Sequence, residues 1–530
     1  MLRLYNLQLS LDDGPEALGR EAARRLGLPA ADLRVALVKR GVDARDKRPR
    51  YNCTADVTLP EGVDAAALLA RLGVNAAIPD DVPPLSVTPG PELLRGRVVV
   101  VGSGPAGAFA ALALAQNGYR PLVLERGRSA PERLRQIGRF NARVVALDPE
   151  NNTLFGEGGA GSFSDGKLYT SNRDPLLPRV LEALVECGAP AHILTDAAPH
   201  VGTDVLSRVV VALRRRIESL GGEFRFSARM TDLQPAPLAV VVNGTERIEA
   251  GAVVLAPGHS ARDTYAMLLH RGVALQAKPF QLGVRIEHPQ ELVDRAQLGR
   301  FAKDPRLAPA AYDLAVQPRG APALFSFCMC PGGITMNSVS EPGLLCTNGM
   351  SFSPRASRYA NSALVTTFEP ADYAATGSPL DGIEFQRRHE KLAFEAGGGD
   401  YTCPAQPVTH FLRGLLSPRV LRGTYALGRR YAERRAILPA KLNAALQAGL
   451  PLFERRLKGF VSDAGVLHAV ESRASSPVRI ARNADTRESE NTTGLYPCGE
   501  GAGYAGGIMS AALDGLRSAL AIVARFAQPR

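Results

Sequence analysis

Cysteine is sparse in this chain: seven in 530 residues, at positions 53, 187, 328, 330, 346, 403 and 498. So few, and an odd number, exclude a disulfide scaffold and fit a reducing cytoplasm. No apolar run approaches the ~18 residues a membrane helix needs. The opening MLRLYNLQLSLDDG lacks the arrangement of a signal or transit peptide. A nucleophile elbow, a zinc spacing and a Walker loop are all missing, so no metal is expected. Internal repeats and low-complexity tracts are missing too. What remains is ordinary apolar content, 45%, enough for a soluble globular chain of about two or three domains. The formal net charge of +11 favours anionic ligands or surfaces, without separating nucleotide from nucleic acid or lipid. Arginine-heavy, alanine-rich usage accounts for much of it.

One stretch organises the rest: RVVVVGSGPAGAFAALALAQNGYRPLVLERG, Arg97–Gly127. Val98–Val101 suits a buried parallel strand. Gly102-Ser103-Gly104-Pro105-Ala106-Gly107 follows, then an apolar helix stopped by Asn117-Gly118. A second strand, Pro121–Leu124, ends on Glu125-Arg126. Gly102 permits the tight turn, Gly104 lets a pyrophosphate approach the backbone, and Gly107 packs helix on sheet. The helix N-terminus offers unpaired N–H groups and its positive dipole end to phosphates. Glu125 is placed to accept from a ribose. The pattern predicts a dinucleotide site.

Met1 to about residue 80 reads as a separate α+β unit in β-α-β-β-α order, which suggests a ferredoxin-like sandwich. Between its inner strands lies a strongly basic loop, Lys39–Arg50. It could grip RNA or another anion, or serve as a solvated loop or docking surface for the rest of the chain. The near absence of interleaved aromatics speaks against a nucleic-acid reader. Residues 81–95 are a proline-rich linker. Residues 96–264 form the first part of a nucleotide-binding domain: a βαβ unit, a long helix Thr203–Leu220 capped by Thr203, a β-meander, and a strand ending at Pro257-Gly258-His259. This is how many FAD-binding folds are assembled. Residues 265–478 read as an inserted α+β substrate or cap domain, and 479–530 return to complete the first. The expected class is α/β, Rossmann-like.

GxGxxG occurs three times, but only Gly102–Gly107 has a strand before it and a helix and strand after it. The other two fit as parts of one FAD site. Gly156–Lys167, with Gly158, Gly159, Gly161 and Lys167, would lie over the pyrophosphate and flavin with backbone N–H groups as anion ligands. Gly499, Glu500, Gly506, Gly507 and Ile508 open the C-terminal helix. There Glu500 is placed to bond the ribityl chain or a ribose-side hydroxyl, and the helix N-terminus to stabilise the reduced ring. No second strand–GxGxxG–helix unit exists for a nicotinamide nucleotide, so NAD(P)H either binds transiently as reductant in the same cleft or is not used.

These residues resemble a largely uncharacterised family of FAD-dependent proteins labelled NAD(FAD)-utilising dehydrogenases, within the glutathione-reductase-like flavoprotein fold. The matching segments are FGEGGAGSFSDGKL (155–168), LAPGHSARDT (255–264), KPFQLGVRIEHPQ (278–290), FSFCMCPGG (325–333), TNGMS (347–351), ESRASSPVRI (471–480) and LYPCGEGAGYAGGI (495–508). The resemblance implies FAD and the fold, not the substrate.

Cys328-Met-Cys330-Pro-Gly-Gly is the most pointed remaining motif. Two thiols at CxC spacing on a strand would share one face, as a redox pair or a thiolate near the flavin; two buried small side chains are the alternative. His259 and Lys167 complete the catalytic candidates. His259 could donate to flavin or substrate, or cap and pack. Lys167, Lys278, Arg285, Arg473 and Arg479 could hold an anionic substrate. The expectation is an FAD-dependent oxidoreductase of dehydrogenase or reductase type acting on an anionic small molecule. The alternative is a flavin-containing binding protein whose basic N-terminal unit recognises RNA or a protein partner.

Overall fold

The computed structural model describes residues 1–45, 48–168, 170, 173–416 and 421–529. Asp46 and Lys47 of the basic loop lie outside the described residues.

A short valine run buried on both faces builds the central layer. Strand Arg97–Val101 pairs in parallel with Leu122–Leu124 on one side and Glu246–Leu255 on the other. Glu223–Arg225 and Leu495–Pro497 extend the parallel sheet at its two ends. Val98 and Val100 point into one core with helices Pro105–Gln116 and Ile508–Arg525. Val99 and Val101 point into the other, where Tyr265 and Leu268 of helix Arg262–His270 cover them. The first half of Glu246–Leu255 continues into an antiparallel meander with Leu238–Val242 and Met230–Pro235.

Residues 280–471 form a second, seven-stranded sheet. Its middle is Phe280–Pro289, flanked by Tyr359–Phe368 and Val466–Glu471. Helices Asp381–Gly397 and Ala440–Arg456 pack on it. A two-stranded ribbon, Leu275–Ala277 with Val478–Ile480, lies where the chain leaves and re-enters the first layer.

At the N-terminus, strands Leu2–Ser10, Arg34–Asp43, Arg50–Thr58 and Ala76–Ala77 form a four-stranded antiparallel sheet. Helices Ala17–Leu26 and Ala65–Leu72 complete a β-α-β-β-α-β order. The edge of this sheet docks on the main body: Arg40 N–H donates to Thr195 O (2.7 Å) and Ala197 N–H to Arg40 O (2.8 Å).

Two local expectations change. Thr203 does not cap its helix. Gly202 occupies that place, and the Thr203 hydroxyl donates instead to Ser164 O (2.9 Å), tying the helix to the glycine loop. Helix Ala130–Asn141 was not anticipated, because its buried row Ala130, Arg133, Ile137, Phe140 contains an arginine. Among the described residues no helix is long and apolar enough to cross a membrane.

Candidate functional site

The end of strand Arg97–Val101 is closed by backbone contacts that only glycine permits. Gly102 has φ 96°, and a Cβ there would lie 2.2 Å from Ala256 O. At Gly107 a Cβ would sit 1.9 Å from Gly102 O, so the helix meets the turn with no room for a side chain. Gly104 differs: a Cβ there would meet nothing closer than Gly159 Cα at 3.8 Å, and it faces a cavity of about 1170 Å³. Ser103, Pro105 and Ala106 line the same cavity, with the first amides of helix Pro105–Gln116 beside it.

Glu125 is buried at this turn. Its Oε2 accepts from Ser103 N–H (3.0 Å) and Oγ (2.7 Å), and its Oε1 from Gly127 N–H and Gly156 N–H (both 2.9 Å). Four donors fill the four lone-pair sites of a carboxylate. The acid therefore clamps the glycine turn to the middle loop while it lines the cavity where the ribose is expected. Arg126 is paired with Glu150 (2.7 Å) and Asp263 (2.9 Å) and stacks 4.1 Å over the Phe155 ring.

The middle loop is carried by Arg133, which sequence reasoning missed. Its side chain is wholly buried and donates to Asn152 O, Glu157 O and Gly159 O, each at 2.8 Å. The signal was present: an arginine in the apolar row of an otherwise amphipathic helix. Gly158 makes a tight internal turn, where a Cβ would meet Ser162 Oγ at 2.0 Å. Gly159 abuts Gly104, a Cβ on it lying 2.9 Å from Gly104 Cα, and Gly161 sits against Ile508 and Pro105. The three glycine patterns thus meet in space. Gly501 is pressed on Gly258, and Gly499 on Ala106, its N–H donating to Asp514 Oδ2 at 2.7 Å. Beyond Gly506 and Gly507 there is open space within 4 Å, at the start of helix Ile508–Arg525.

Glu500, half-buried, lines this cavity, and burial pushes its carboxyl up to about 8 against the pull of Lys278. His259 also lines it, with Nδ1 2.9 Å from Ser260 Oγ. Burial and the Arg473 and Arg262 charges push the imidazole down to about 3, so it is neutral at pH 7. Lys167 Nζ donates to Met329 O and lies 3.9 Å from Asp165. Buried Asp165 also accepts from Ser351 Oγ (2.5 Å) and Arg355 (2.8 Å).

Two of the expected anion-binding cations are committed to carboxylates. Arg285 is bidentate with Glu471 (2.6 and 2.8 Å) and bonds Asn361 (2.7 Å). Arg473 and Arg262 together enclose Glu390 (2.8 and 2.7 Å), which they hold far below the usual carboxylate range. No local pattern announces this triad, because its members come from three distant segments.

The CxC motif departs from the shared-face expectation. Strand Leu324–Cys330 bulges between Phe327 and Cys330, and Cys328 takes φ 47°. Cys328 is turned to the cavity while Cys330 is fully buried behind it. The neighbouring Cys330 thiol and the Lys167 and Arg285 charges push the Cys328 thiol below the ordinary cysteine range, and Cys330 is pushed up. Among the described residues, no group of three or more His, Cys, Asp or Glu is placed to hold a metal.

The cavity fits FAD: two helix N-termini and side-chain-free backbone at Gly104, Gly506 and Gly507 face one volume. Residues 279–474 match the family profile described as FAD-dependent protein, C-terminal domain-like, and residues 100–137 that of an NAD(P)-binding Rossmann-like domain. Residues 1–58 match a domain of unknown function. An uncharacterised protein of Clostridium beijerinckii is 41% identical over 542 residues, covering all of both chains. Similar solved structures include glycine oxidase from Geobacillus kaustophilus (12% identity, TM-score 0.34, 81% of this chain and 95% of that one). The flavin-dependent brominase Bmp2 triple mutant is another (13%, TM-score 0.36, 81% and 80%).

Proposed function

Because this chain belongs to the FAD-dependent family that includes the Clostridium beijerinckii protein, with FAD as its cofactor, we propose that it is an FAD-dependent oxidoreductase of dehydrogenase or reductase type working in a reducing cytoplasm. One observation carries this reading: the three glycine segments and the titratable residues Cys328, Glu500, His259 and Lys167 open onto a single cavity. Gly104 and the start of helix Pro105–Gln116 would receive the pyrophosphate, and Gly159 and Gly161 would close over it. Gly506, Gly507 and Ile508 would face the flavin ring, with the helix dipole favouring negative charge there. FAD supplies two-electron transfer when bound. Around it the chain supplies an acid at Glu500 that keeps its proton at pH 7, a neutral imidazole at His259, and a thiol with a depressed pKa at Cys328. The substrate is proposed to be a small anionic molecule. Its charge would be met by Lys167 and Arg355, both at the cavity wall beside Asp165. NADH or NADPH would serve as transient reductant in the same cavity.

The test is direct. Purified protein is expected to carry a flavin band near ~450 nm, and anaerobic addition of NADH, NADPH or members of a metabolite panel is expected to bleach it. Protein that stays colourless after incubation with FAD sinks the reading. Nicotinamide nucleotide consumed only when oxygen is present would replace the dehydrogenase assignment with an oxygenase.

A further inference from the structure

Of the seven cysteines, six are buried; Cys328 alone is not. It lines the cavity from a left-handed backbone position that an L-residue adopts at a cost, φ 47°. Cys330, two residues on, is fully buried, and its thiol donates to Cys328 O at 3.3 Å. The Pro-Gly-Gly that follows holds this arrangement in place. A Cβ on Gly332 would strike Arg355 O at 1.7 Å, and one on Gly333 would strike Cys330 Cβ at 2.8 Å. One thiol thus lines the cavity, and the second is buried two residues on, held against the first residue's own backbone carbonyl.

We propose that Cys328 and Cys330 form a dithiol–disulfide couple in the cavity wall, Cys328 attacking and Cys330 resolving, with a small disulfide as the substrate class. The proposal deepens the flavoenzyme reading and rests on it only for the return of electrons. The Cys328 thiolate attacks one sulfur of RSSR, giving a mixed disulfide and RS⁻. Cys330 then loses its proton to the departing RS⁻ and attacks the Cys328 sulfur. The Cys328–Cys330 bond forms and a second RS⁻ leaves, so one disulfide is reduced to RSH and RS⁻ as the pair is oxidised. Reopening the bond to a Cys328 thiolate and a Cys330 thiol takes two electrons and one proton, which a reduced flavin bound in this cavity would supply.

The surroundings suit a thiolate at Cys328. Lys167 approaches from the glycine loop and bonds the neighbouring Met329 carbonyl. Arg285 approaches from Phe280–Pro289, donating to Cys328 O at 3.3 Å while paired with Glu471. Opposing negative charge comes from Asp165, itself paired with Arg355, and from Glu500, which burial keeps protonated up to about pH 8. The accessible thiol is accordingly pushed below the ordinary cysteine range.

The experiment treats the flavin-loaded protein anaerobically with bis(2-hydroxyethyl) disulfide, then alkylates it with iodoacetamide and maps the peptides by mass. The expected result is loss of alkylation at Cys328 and a Cys328–Cys330 peptide lighter by two hydrogens. Cys330→Ala is expected to stop at a mercaptoethanol adduct on Cys328. It should also slow alkylation of Cys328 at pH 6.5 by about tenfold or more, because the thiol returns toward the ordinary cysteine range. In Cys328→Ala, Cys330 should stay unmodified until the protein is unfolded. An unchanged peptide mass and a Cys328 that still alkylates after disulfide treatment would overturn the proposal. So would an unreactive Cys328 in the folded protein, or a Cys330→Ala variant that forms no adduct. The flavin band of the same samples separates the two readings. Coloured protein with inert thiols sinks the couple alone, whereas colourless protein with a closing pair sinks the flavoenzyme reading alone.

Discussion

Glu390 sits between two guanidinium groups with no exposure of its own. Burying one carboxylate with Arg262 and Arg473 is tolerable because the charges compensate; removing the acid leaves two buried cations facing each other. Glu390→Gln is therefore expected to cost about 3–5 kcal/mol, read as a lowered midpoint in denaturant unfolding. Glu500 gives a pH signature instead. In the fold its carboxyl keeps a proton to about pH 8, whereas an ordinary glutamate releases it near 4.5. The folded state then binds more protons between those values, so stability is full below the lower value and lost as pH rises toward the upper one. In flavin-stripped protein, Glu500→Gln is expected to abolish that decline. The gain over wild type at pH 8 should be on the order of 3 kcal/mol, discounted because the group faces an open cavity. Parallel pH slopes for the two proteins would refute this.

The strand–turn–helix element separates two kinds of glycine. Gly107→Ala drives a methyl into the Gly102 carbonyl, so it is expected to destabilise the protein by about 1–3 kcal/mol, with flavin loss following from unfolding. Gly104 has an ordinary negative φ, −66°, and its side-chain space opens onto the cavity. Gly104→Val is expected to leave the unfolding midpoint of the flavin-free protein nearly unchanged while weakening FAD binding at least tenfold, measured by fluorescence titration. Equal stability losses for both variants would show that Gly104 is a packing position only. The C-terminal helix belongs to the same element logic: Gly515 lets it lie against Ala106 O, where a Cβ would come within 2.0 Å. That packing carries Gly506 and Gly507 to the first turn.

At the scale of the whole molecule, the cavity is assembled from residues near 104, 160, 328 and 506, so a ligand filling it bridges both large sheets. Stripping FAD is expected to lower the thermal midpoint, and adding it back at ~100 times its dissociation constant to restore about 2.7 kcal/mol. A midpoint that does not move with FAD concentration would contradict this. The first βαβ unit was readable at once, because the demands on Gly102 and Gly107 arise within six residues of backbone. The joining of the three glycine patterns could be inferred from their spacing and context. The lone-pair saturation of Glu125, the buried Arg133 and the Arg262–Glu390–Arg473 triad could not, since each depends on partners brought together by folding. The glycine turn and the kind of cofactor were legible in the residues alone, because local backbone geometry and periodic burial are written in short stretches. Which ionisable groups are charged, and where they face, depends on contacts made only in the folded chain. Cys328 enters the cavity, and Cys330 does not, through a strand bulge set against Tyr359–Phe368. The protonation of Glu500 follows from desolvation by segments hundreds of residues away.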